Sequence, residues 1–201
     1  MSETTLDKTE LAHKAINDKK VLDQLIEALS GSSRRERQNA AAALGIVSKT
    51  NPELLAAHIP AFVDALNRPE AQTRWECLDV LTACIDIESH LVDKAVLGAE
   101  TALFDEDSGP VRLAAMRFLC KLASTTTLRS EKLWPLIDEA IQCYHGDLEF
   151  SNMLAAVTEF SLGKISPSVK EQLASRMKFD AENGKGGLKR KAQQIVANVT
   201  S

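Results

Sequence analysis

The chain has 201 residues, of which 44% are hydrophobic, 26% are charged and only 4% are aromatic. This composition suits helices that pack through small side chains better than a sheet protein, because strands are enriched in β-branched and aromatic residues. The formal net charge of −4 is far from the basic balance that nucleic-acid-binding proteins usually carry.

The N-terminal segment, residues 1–18, is polar and has no long apolar stretch, so it resembles neither a signal peptide nor a membrane span. We therefore expect a cytoplasmic protein that makes no contact with a membrane. Within this segment Leu11, Ala12, Ala15 and Ile16 are spaced as on one face of a helix. The segment could form a capping helix at the start of a single domain that covers residues 1–201.

Amphipathic segments alternate with turn formers along the rest of the chain. Five first helices are predicted to end at Leu29, Leu66, Phe104, Ile141 and Met177, about 37 residues apart. Turn formers follow at corresponding positions, namely Ser30–Ser32, Asn67–Pro69, Asp107–Pro110, His145–Asp147 and Gly184–Gly187. A second amphipathic segment follows each turn, so the predicted unit is a helical hairpin that occurs five times.

Three arginines mark the second helices, since Arg37, Arg74 and Arg112 recur at spacings of 37 and 38 residues. Small or apolar residues follow each arginine after three and after seven positions, which places an apolar stripe on one helix face. The stripe residues are Ala40, Leu44, Cys77, Leu81, Ala115 and Leu119. The fourth and fifth copies are aligned with Ser151 and Lys189 at the arginine position.

The segment from Asp107 to Leu122, with its turn aspartate, its Val111-Arg112 pair and its alanines, resembles a HEAT repeat. The resemblance extends from about Val21 to Val199 and implies an all-α, right-handed α-solenoid of about five hairpins, of the HEAT-like or armadillo type. The period is shorter than the roughly 40 to 47 residues usual for these repeats, which indicates a short variant.

The resemblance also implies a structural role for the three arginines, which is favoured over a role in ligand binding. In HEAT-like folds the arginine at this position pairs with turn aspartates of its own or the neighbouring repeat. The candidate partners in this sequence are Asp105, Asp107 and Asp147. A shielded, bidentate contact of this kind fixes geometry better than an exposed ion pair does.

Second helices line the concave surface of HEAT-like solenoids, so the resemblance implies that partner contacts lie on them. Residues one and five positions after the arginines fall off the apolar stripe, and five of them are candidate partner-binding residues: Gln38, Trp75, Asp79, Leu113 and Arg117. Trp and Arg are over-represented at binding hot spots. An alternative is that Trp75 only packs against a neighbouring second helix.

Charge is unevenly divided between the predicted helices. The second helices hold twelve basic and seven acidic residues, a balance of +5 that leaves −9 on the rest of the chain. One surface should therefore be relatively basic, and an anionic ligand there is one interpretation. A solvated face of mixed charge is the default interpretation.

The sequence contains no motif for catalysis, for a cofactor or for a metal, so we predict no enzyme and no such site. Cys77, Cys84, Cys120 and Cys143 lack paired CxxC spacing and are interpreted as buried reduced thiols. The glycine-rich segment Asn183–Lys189 lacks the strand that precedes a phosphate-binding loop, and it is interpreted as a turn between helices.

The favoured function is a non-catalytic scaffold that binds an unknown protein partner along the concave face. An alternative is a nucleic-acid-binding protein similar to the HEAT-like alkylpurine DNA glycosylases, with Trp75 and Asp79 as the only candidate pair and no catalytic role carried over. A third is similarity to HEAT-like bilin lyases, although nothing in the chain indicates a tetrapyrrole site. Polar residues near both ends favour a monomer.

Overall fold

The computed structural model describes residues 7–200, which form helices joined by turns. The α-helices are α1 Lys8–Asn17, α2 Lys19–Ala28, α3 Arg34–Ser48, α4 Ile59–Ala65, α5 Ala71–Val92, α6 Val96–Leu103, α7 Gly109–Ala123, α8 Thr127–Cys143, α9 Phe150–Ser161, α10 Pro167–Asn183 and α11 Gly186–Thr200. Short 3₁₀ turns cover Pro52–Leu54, Ala56–His58 and Asp93–Ala95.

In chain order, the five predicted pairs of helical segments correspond to α2 and α3, α4 and α5, α6 and α7, α8 and α9, and α10 and α11. The first four first helices end within two residues of the predicted positions. The last one continues six residues past Met177 to Asn183, because the first glycine or proline after Met177 is Gly184. The predicted N-terminal helical spacing lies in α1, where Ala12 and Ala15 are buried.

Serine or threonine side chains cap the N-termini of most of the longer helices. Ser33 accepts a hydrogen bond from the backbone N–H of Glu36 at the start of α3, and Ser108 accepts one from Val111 at the start of α7. Thr126 and Ser166 do the same for α8 and α10. Each such cap satisfies one of the backbone donors that a helix leaves unpaired in its first turn.

The described chain divides into two compact units, and the boundary between them in the sequence lies at the end of α6. The first unit contains α1 to α5 and α6 up to Ala102, and in it α3 packs against both α1 and α5. The second unit contains α7 to α11, and in it α9 packs against both α7 and α11 while α8 packs against α10. The single domain expected for residues 1–201 stays a prediction, and residues 1–6 and 201 of it lie outside the description.

The apolar stripe predicted on the second helices is buried in both units. Leu44, Leu81 and Leu119 are all completely inaccessible to solvent. Leucine is among the residue types most often found in protein cores, and a fully buried leucine stabilises the fold by about 1.5 to 3 kcal/mol relative to an exposed one. The stripe therefore contributes to the buried core of each unit.

Polar contacts between neighbouring hairpins of the second unit also follow the repeat. The indole N–H of Trp134 on α8 donates to the side-chain oxygen of Gln172 on α10, 38 residues later, at 2.9 Å. One turn further along, Arg176 donates to Asp138 through Nε at 2.6 Å and through Nη2 at 2.8 Å, again across 38 residues. These contacts bring corresponding positions of successive first helices together.

The helix boundaries correct one alignment made from the sequence. Arg37, Arg74 and Arg112 are each the fourth residue of their helices, and Lys189 is the fourth residue of α11. In α9 the fourth residue is Met153, not Ser151, and Met153 is buried. The shift of two residues arises because α8 runs to Cys143 and the following turn, with φ +94° at Gly146, delays the start of α9.

Helix α5 is longer than the sequence suggested. It continues past Cys84 to Val92 and bends at Glu88, whose φ of −139° and ψ of 58° lie outside the helical region. The extension adds two carboxylates, Asp86 and Glu88, to the second helices. The charge balance of the second helices is therefore less basic than the value predicted from the shorter segments.

Candidate partner-binding surface

The first of the three arginines joins two successive hairpins. Arg37 is buried, and its guanidinium donates to both carboxylate oxygens of Glu70, with Nε 3.2 Å from Oε2. Its Nη1 donates to the carbonyl oxygens of Gly31 and Ser32 at 2.7 and 2.9 Å. Because Glu70 immediately precedes α5, this network ties the α2–α3 turn to the start of the next second helix.

Arg112 makes a related set of contacts in the second unit. Its Nη1 donates to the carbonyl of Asp105 at 2.9 Å, and its Nη2 lies 3.8 Å from Oε2 of Glu149, the residue that precedes α9. The guanidinium carbon lies 5.2 Å from the ring centroid of Tyr144, a cation–π contact. The Tyr144 hydroxyl in turn donates to the carbonyl of Leu103 at 2.7 Å.

Glu70 and Glu149 were not identified from the sequence, which named Asp105, Asp107 and Asp147 as candidate partners. The two glutamates hold the same place, one residue before a second helix, and each pairs with the arginine of the preceding second helix. The hydrogen bonds from Arg37 hold the pKa of the Glu70 carboxyl below its usual value. A carboxylate before a helix is also favoured by the helix dipole, which was the available sequence signal.

The exposed side of α5 carries an aromatic side chain and several carboxylates. Trp75, Glu76 and Asp79 are partly exposed there, and Asp86 is exposed two turns further along the same helix. Trp75 and Glu76 are adjacent in the sequence, and the Asp79 charge acts on the Glu76 carboxylate. The exposed side of α5 therefore places one large aromatic side chain among carboxylates.

Glu76 is also pressed against the neighbouring helix. A Cβ added at Gly45 of α3 would lie 2.4 Å from Oε2 of Glu76, so the glycine leaves room for this carboxylate. Burial raises the pKa of Glu76 above its usual value, and the nearby Asp79 adds to the increase. The fold thus keeps a carboxyl in a place where its charged form is disfavoured.

The five candidate partner-binding residues divide between the two units. Gln38 and Trp75 are each the fifth residue of a second helix, and their helices α3 and α5 pack together, with Asp79 one turn after Trp75. Leu113 and Arg117 lie on α7 in the second unit, where Leu113 is partly exposed and Arg117 is exposed. The fifth residue of α9 is Leu154, which is fully buried, so the row that contains Leu113 does not continue onto α9.

Three of the four cysteines are buried, as expected, and one is not. Burial raises the pKa of Cys84 to about 11 and raises the pKa values of the Cys77 and Cys120 thiols as well. Cys143, at the last position of α8, is exposed, which corrects the prediction for that residue. The sequence pattern failed there because Cys143 lies off the face of α8 on which Ala140 and Ile141 are buried.

Two further findings concern membranes and metals. Within residues 7–200 no group of three or more His, Cys, Asp and Glu side chains is placed to hold a metal ion. None of the helices in that range is both long and apolar enough to cross a membrane. His145 instead contacts the buried Asp180 side chain, with Nε2 3.2 Å from each carboxylate oxygen.

No protein-family model and no curated protein matches the sequence. Solved structures match over nearly the whole chain. An engineered protein has a TM-score of 0.77 at 16% identity, with 98% of this chain and 93% of that chain covered. A designed armadillo repeat protein in complex with the peptide (KR)4 has a TM-score of 0.76 at 16% identity, with coverages of 96% and 90%.

Computationally designed armadillo repeat proteins for modular peptide recognition match with a TM-score of 0.71 at 16% identity, with 95% of this chain and 91% of that chain covered. Identities this low carry information about the fold alone. The chain therefore has the all-α repeat fold of armadillo and HEAT-like solenoids, which confirms the fold predicted from the sequence.

Proposed function

We propose that this protein is a non-catalytic scaffold that binds a protein partner along the exposed sides of its second helices. The observation that carries the proposal is the exposed side of α5, on which Trp75 lies beside Glu76 and Asp79. Tryptophan is enriched among the residues that dominate binding energy at interfaces. The peptide-bound state of one designed structural neighbour supports the same use of this fold.

The negative charge on the exposed side of α5 indicates which charge the bound segment of the partner carries. Carboxylates flank Trp75, and the α5 extension adds Asp86 to the same helix. Lysine and arginine side chains complement carboxylates and also contact indole faces through cation–π interactions. The partner segment at this unit is therefore basic, and the (KR)4 peptide of the designed neighbour has this chemistry.

The remaining candidate residues have supporting roles in the proposal. Gln38 occupies the position on α3 that Trp75 occupies on α5, and it contacts the same partner segment. In the second unit Leu113 and Arg117 present an apolar and a cationic side chain on α7 to another part of the partner. Arginine at an exposed position provides up to five hydrogen-bond donors in a fixed geometry.

The first test is titration of the protein with the (KR)4 peptide, followed by tryptophan fluorescence. The chain has two tryptophans, and Trp134 is buried. The substitution Trp134→Phe therefore leaves Trp75 as the single tryptophan whose fluorescence is followed. We expect the emission to change on binding, and Glu76→Gln with Asp79→Asn to weaken binding about tenfold. The matched control is Glu27→Gln with Asp64→Asn, which removes two exposed carboxylates from first helices of the same unit.

If the control pair weakened peptide binding equally, the loss of affinity would be explained by the net charge of the protein. That result would contradict a site on α5. The natural partner is tested by affinity capture from native lysate with and without nuclease, comparing wild type with Trp75→Ala/Arg117→Glu. We expect protein partners that resist nuclease and are lost in the variant. Capture that depends on nucleic acid would contradict the scaffold proposal and support the glycosylase-like alternative.

A further inference from the structure

A small cavity lies in the second unit, beside the turn between α8 and α9. Its volume is about 210 Å³, and its apolar walls are the side chains of Phe150 and Leu154 on α9 and of Leu188 on α11. Typical pockets for small molecules measure roughly 300 to 1,000 Å³. The cavity therefore suits one inserted side chain better than a whole small-molecule ligand.

Positive charge is concentrated beside this cavity at the start of α11. Lys185, Lys189, Arg190 and Lys191 lie within seven residues of a chain whose net charge is −4, and no acidic residue follows them. Cations in the first turns of a helix oppose its dipole, so this cluster lowers the stability of α11. An arrangement that is locally unfavourable in this way is expected at a functional site.

The hydrogen bonds of two of these lysines leave their charges in place. Nζ of Lys191, which lines the cavity, donates to Oγ of Ser151 at 2.9 Å and to the carbonyl oxygen of the same residue. Nζ of Lys189 donates to the backbone carbonyl of Glu182 at 2.9 Å. All three acceptors are uncharged, so these contacts position the ammonium groups without neutralising them. Asp147 is the one carboxylate among the residues that line the cavity.

The first unit exposes an apolar side chain of complementary surroundings. Ile87 on α5 is 42% exposed, whereas Ile85 and Val92 on the same helix are buried. It directly precedes Glu88, the exposed residue at which α5 bends. Helix α5 has 22 residues and the other second helices have 12 or 15, so this segment has no counterpart in the other hairpins. The repeat itself therefore does not require an isoleucine at this place.

The carboxylate beside Ile87 is the part of this segment that matches the charge around the cavity. Asp86, on the other side of Ile87, already takes part in an interaction within the chain, whereas Glu88 is an exposed carboxylate. An apolar side chain next to an anion thus has its complement in an apolar cavity next to cations. A contact between such different patches of identical chains is heterologous.

We propose that Ile87 of one copy of the chain inserts into this cavity of a second copy, where Glu88 pairs with Arg190 and Lys191. Sites for single-stranded nucleic acid offer exposed aromatic side chains for stacking, whereas Phe150 is buried. The polar ends that favour a monomer do not oppose this contact, because the charged groups at the C-terminal end are cations, which Glu88 complements. The contact uses neither Trp75 nor a basic partner segment, so it does not rest on the proposed function.

The test is sedimentation velocity on the whole chain over a range of concentrations. We expect the average mass to rise from the 21.9 kDa of one chain at low micromolar concentration to that of two or more chains at about 500 µM. We also expect the association to weaken in about 0.5 M sodium chloride, because salt screens the ion pairs.

Two charge reversals locate the contact. We expect Glu88→Arg and Arg190→Glu each to weaken self-association about tenfold or more, since each brings like charges together. A mixture of the two variants should form a complex again, because the first retains the intact cavity side and the second retains Ile87 and Glu88. The matched controls are Glu27→Arg and Lys132→Glu, exposed on α2 and α8, which should leave self-association unchanged.

The apolar part of the contact is tested separately. We expect Ile87→Ser to weaken self-association about threefold, because less apolar surface is buried in the cavity. Leu128→Ser, at a leucine that is 74% exposed on α8, is the control and should have no effect.

Three results would overturn the proposal: a single-chain mass at every concentration, undiminished association of both charge variants, or a mixture of those variants that forms no complex. Circular dichroism on each variant distinguishes lost association from lost folding, which is not expected at exposed positions. The (KR)4 titration is made on dilute protein and reports on Trp75, so the proposed function and this contact can fail independently.

Discussion

Arg37 and Glu70 lie 33 residues apart and form a buried two-pronged ion pair that connects one hairpin to the next. The arginine is the fourth residue of α3, and the glutamate directly precedes α5. Because the same guanidinium also donates to the carbonyls of Gly31 and Ser32, the pair fixes the turn as well as the helix start. Removal of either side chain leaves buried polar groups of the other without partners.

The substitution Glu70→Gln is therefore expected to destabilise the protein at pH 7. The neutral amide replaces a charged acceptor of Arg37, and we expect the melting temperature to fall by about 5 to 10 °C. The control Glu10→Gln removes an exposed carboxylate paired with Lys14 on α1 and should change it by less than about 1 °C. Thermal melts followed by circular dichroism measure both. Equal shifts would refute a structural role for this pair.

The same pair predicts an acid-dependent part of the stability. The hydrogen bonds from Arg37 lower the pKa of Glu70 in the folded state. This contribution is therefore fully present above the unfolded value of about 4.3 and is lost as the pH falls through the folded pKa. Melting temperatures of wild type and Glu70→Gln should converge as the pH is lowered from 7 to about 3. A constant difference across this range would contradict the assignment.

The sequence predicted the repeat unit, the turns and the buried stripe, because apolar spacing and turn formers act locally. Leu81 and Leu119 lie in the core for this reason. The carboxylate partners Glu70 and Glu149 were missed because each pairing depends on which residue of the next hairpin lies beside the guanidinium, whereas Asp105, which the sequence did name, accepts from Arg112 through its backbone carbonyl. The two-residue shift at Met153 has a similar cause, since the length of the preceding turn is not encoded by the period.

Glu76 is expected to respond in the opposite way to Glu70. Burial raises its pKa, so the stability linked to this group is fully present below the unfolded pKa and is lost as the pH rises through the folded pKa. At pH 7 the substitution Glu76→Gln should raise the melting temperature by about 1 to 3 °C while weakening (KR)4 binding. A destabilised variant with unchanged binding would show that this carboxylate serves packing and not a partner.

The apolar stripe is tested by Leu81→Asp, which places a carboxylate at a completely buried position of α5. We expect a loss of at least about 4 kcal/mol in unfolding free energy, because an unpaired buried charge is among the most destabilising changes. Leu128→Asp is the control, since its position is 74% exposed and the expected loss is below about 0.5 kcal/mol. Urea denaturation of both variants measures the difference. A melting curve of Leu81→Asp equal to wild type would remove Leu81 from the core.

Thiol labelling tests whether the two compact units open as one domain. Cys143 is exposed and should react with a disulfide reagent without any unfolding, and Cys143→Ser should abolish that fast phase. Cys77 in the first unit and Cys120 in the second are both buried, and burial raises their pKa values, so each reacts only after opening.

Variants that retain only Cys77 or only Cys120, with alanine at the other three positions, report on the units separately. A single cooperative domain predicts equal opening free energies for the two thiols in mild urea, with equal dependence on urea concentration. Different urea dependences would mean that the units open independently, which would contradict the single domain predicted for residues 1–201. Reaction of either thiol at the rate of Cys143 in the absence of urea would contradict its burial.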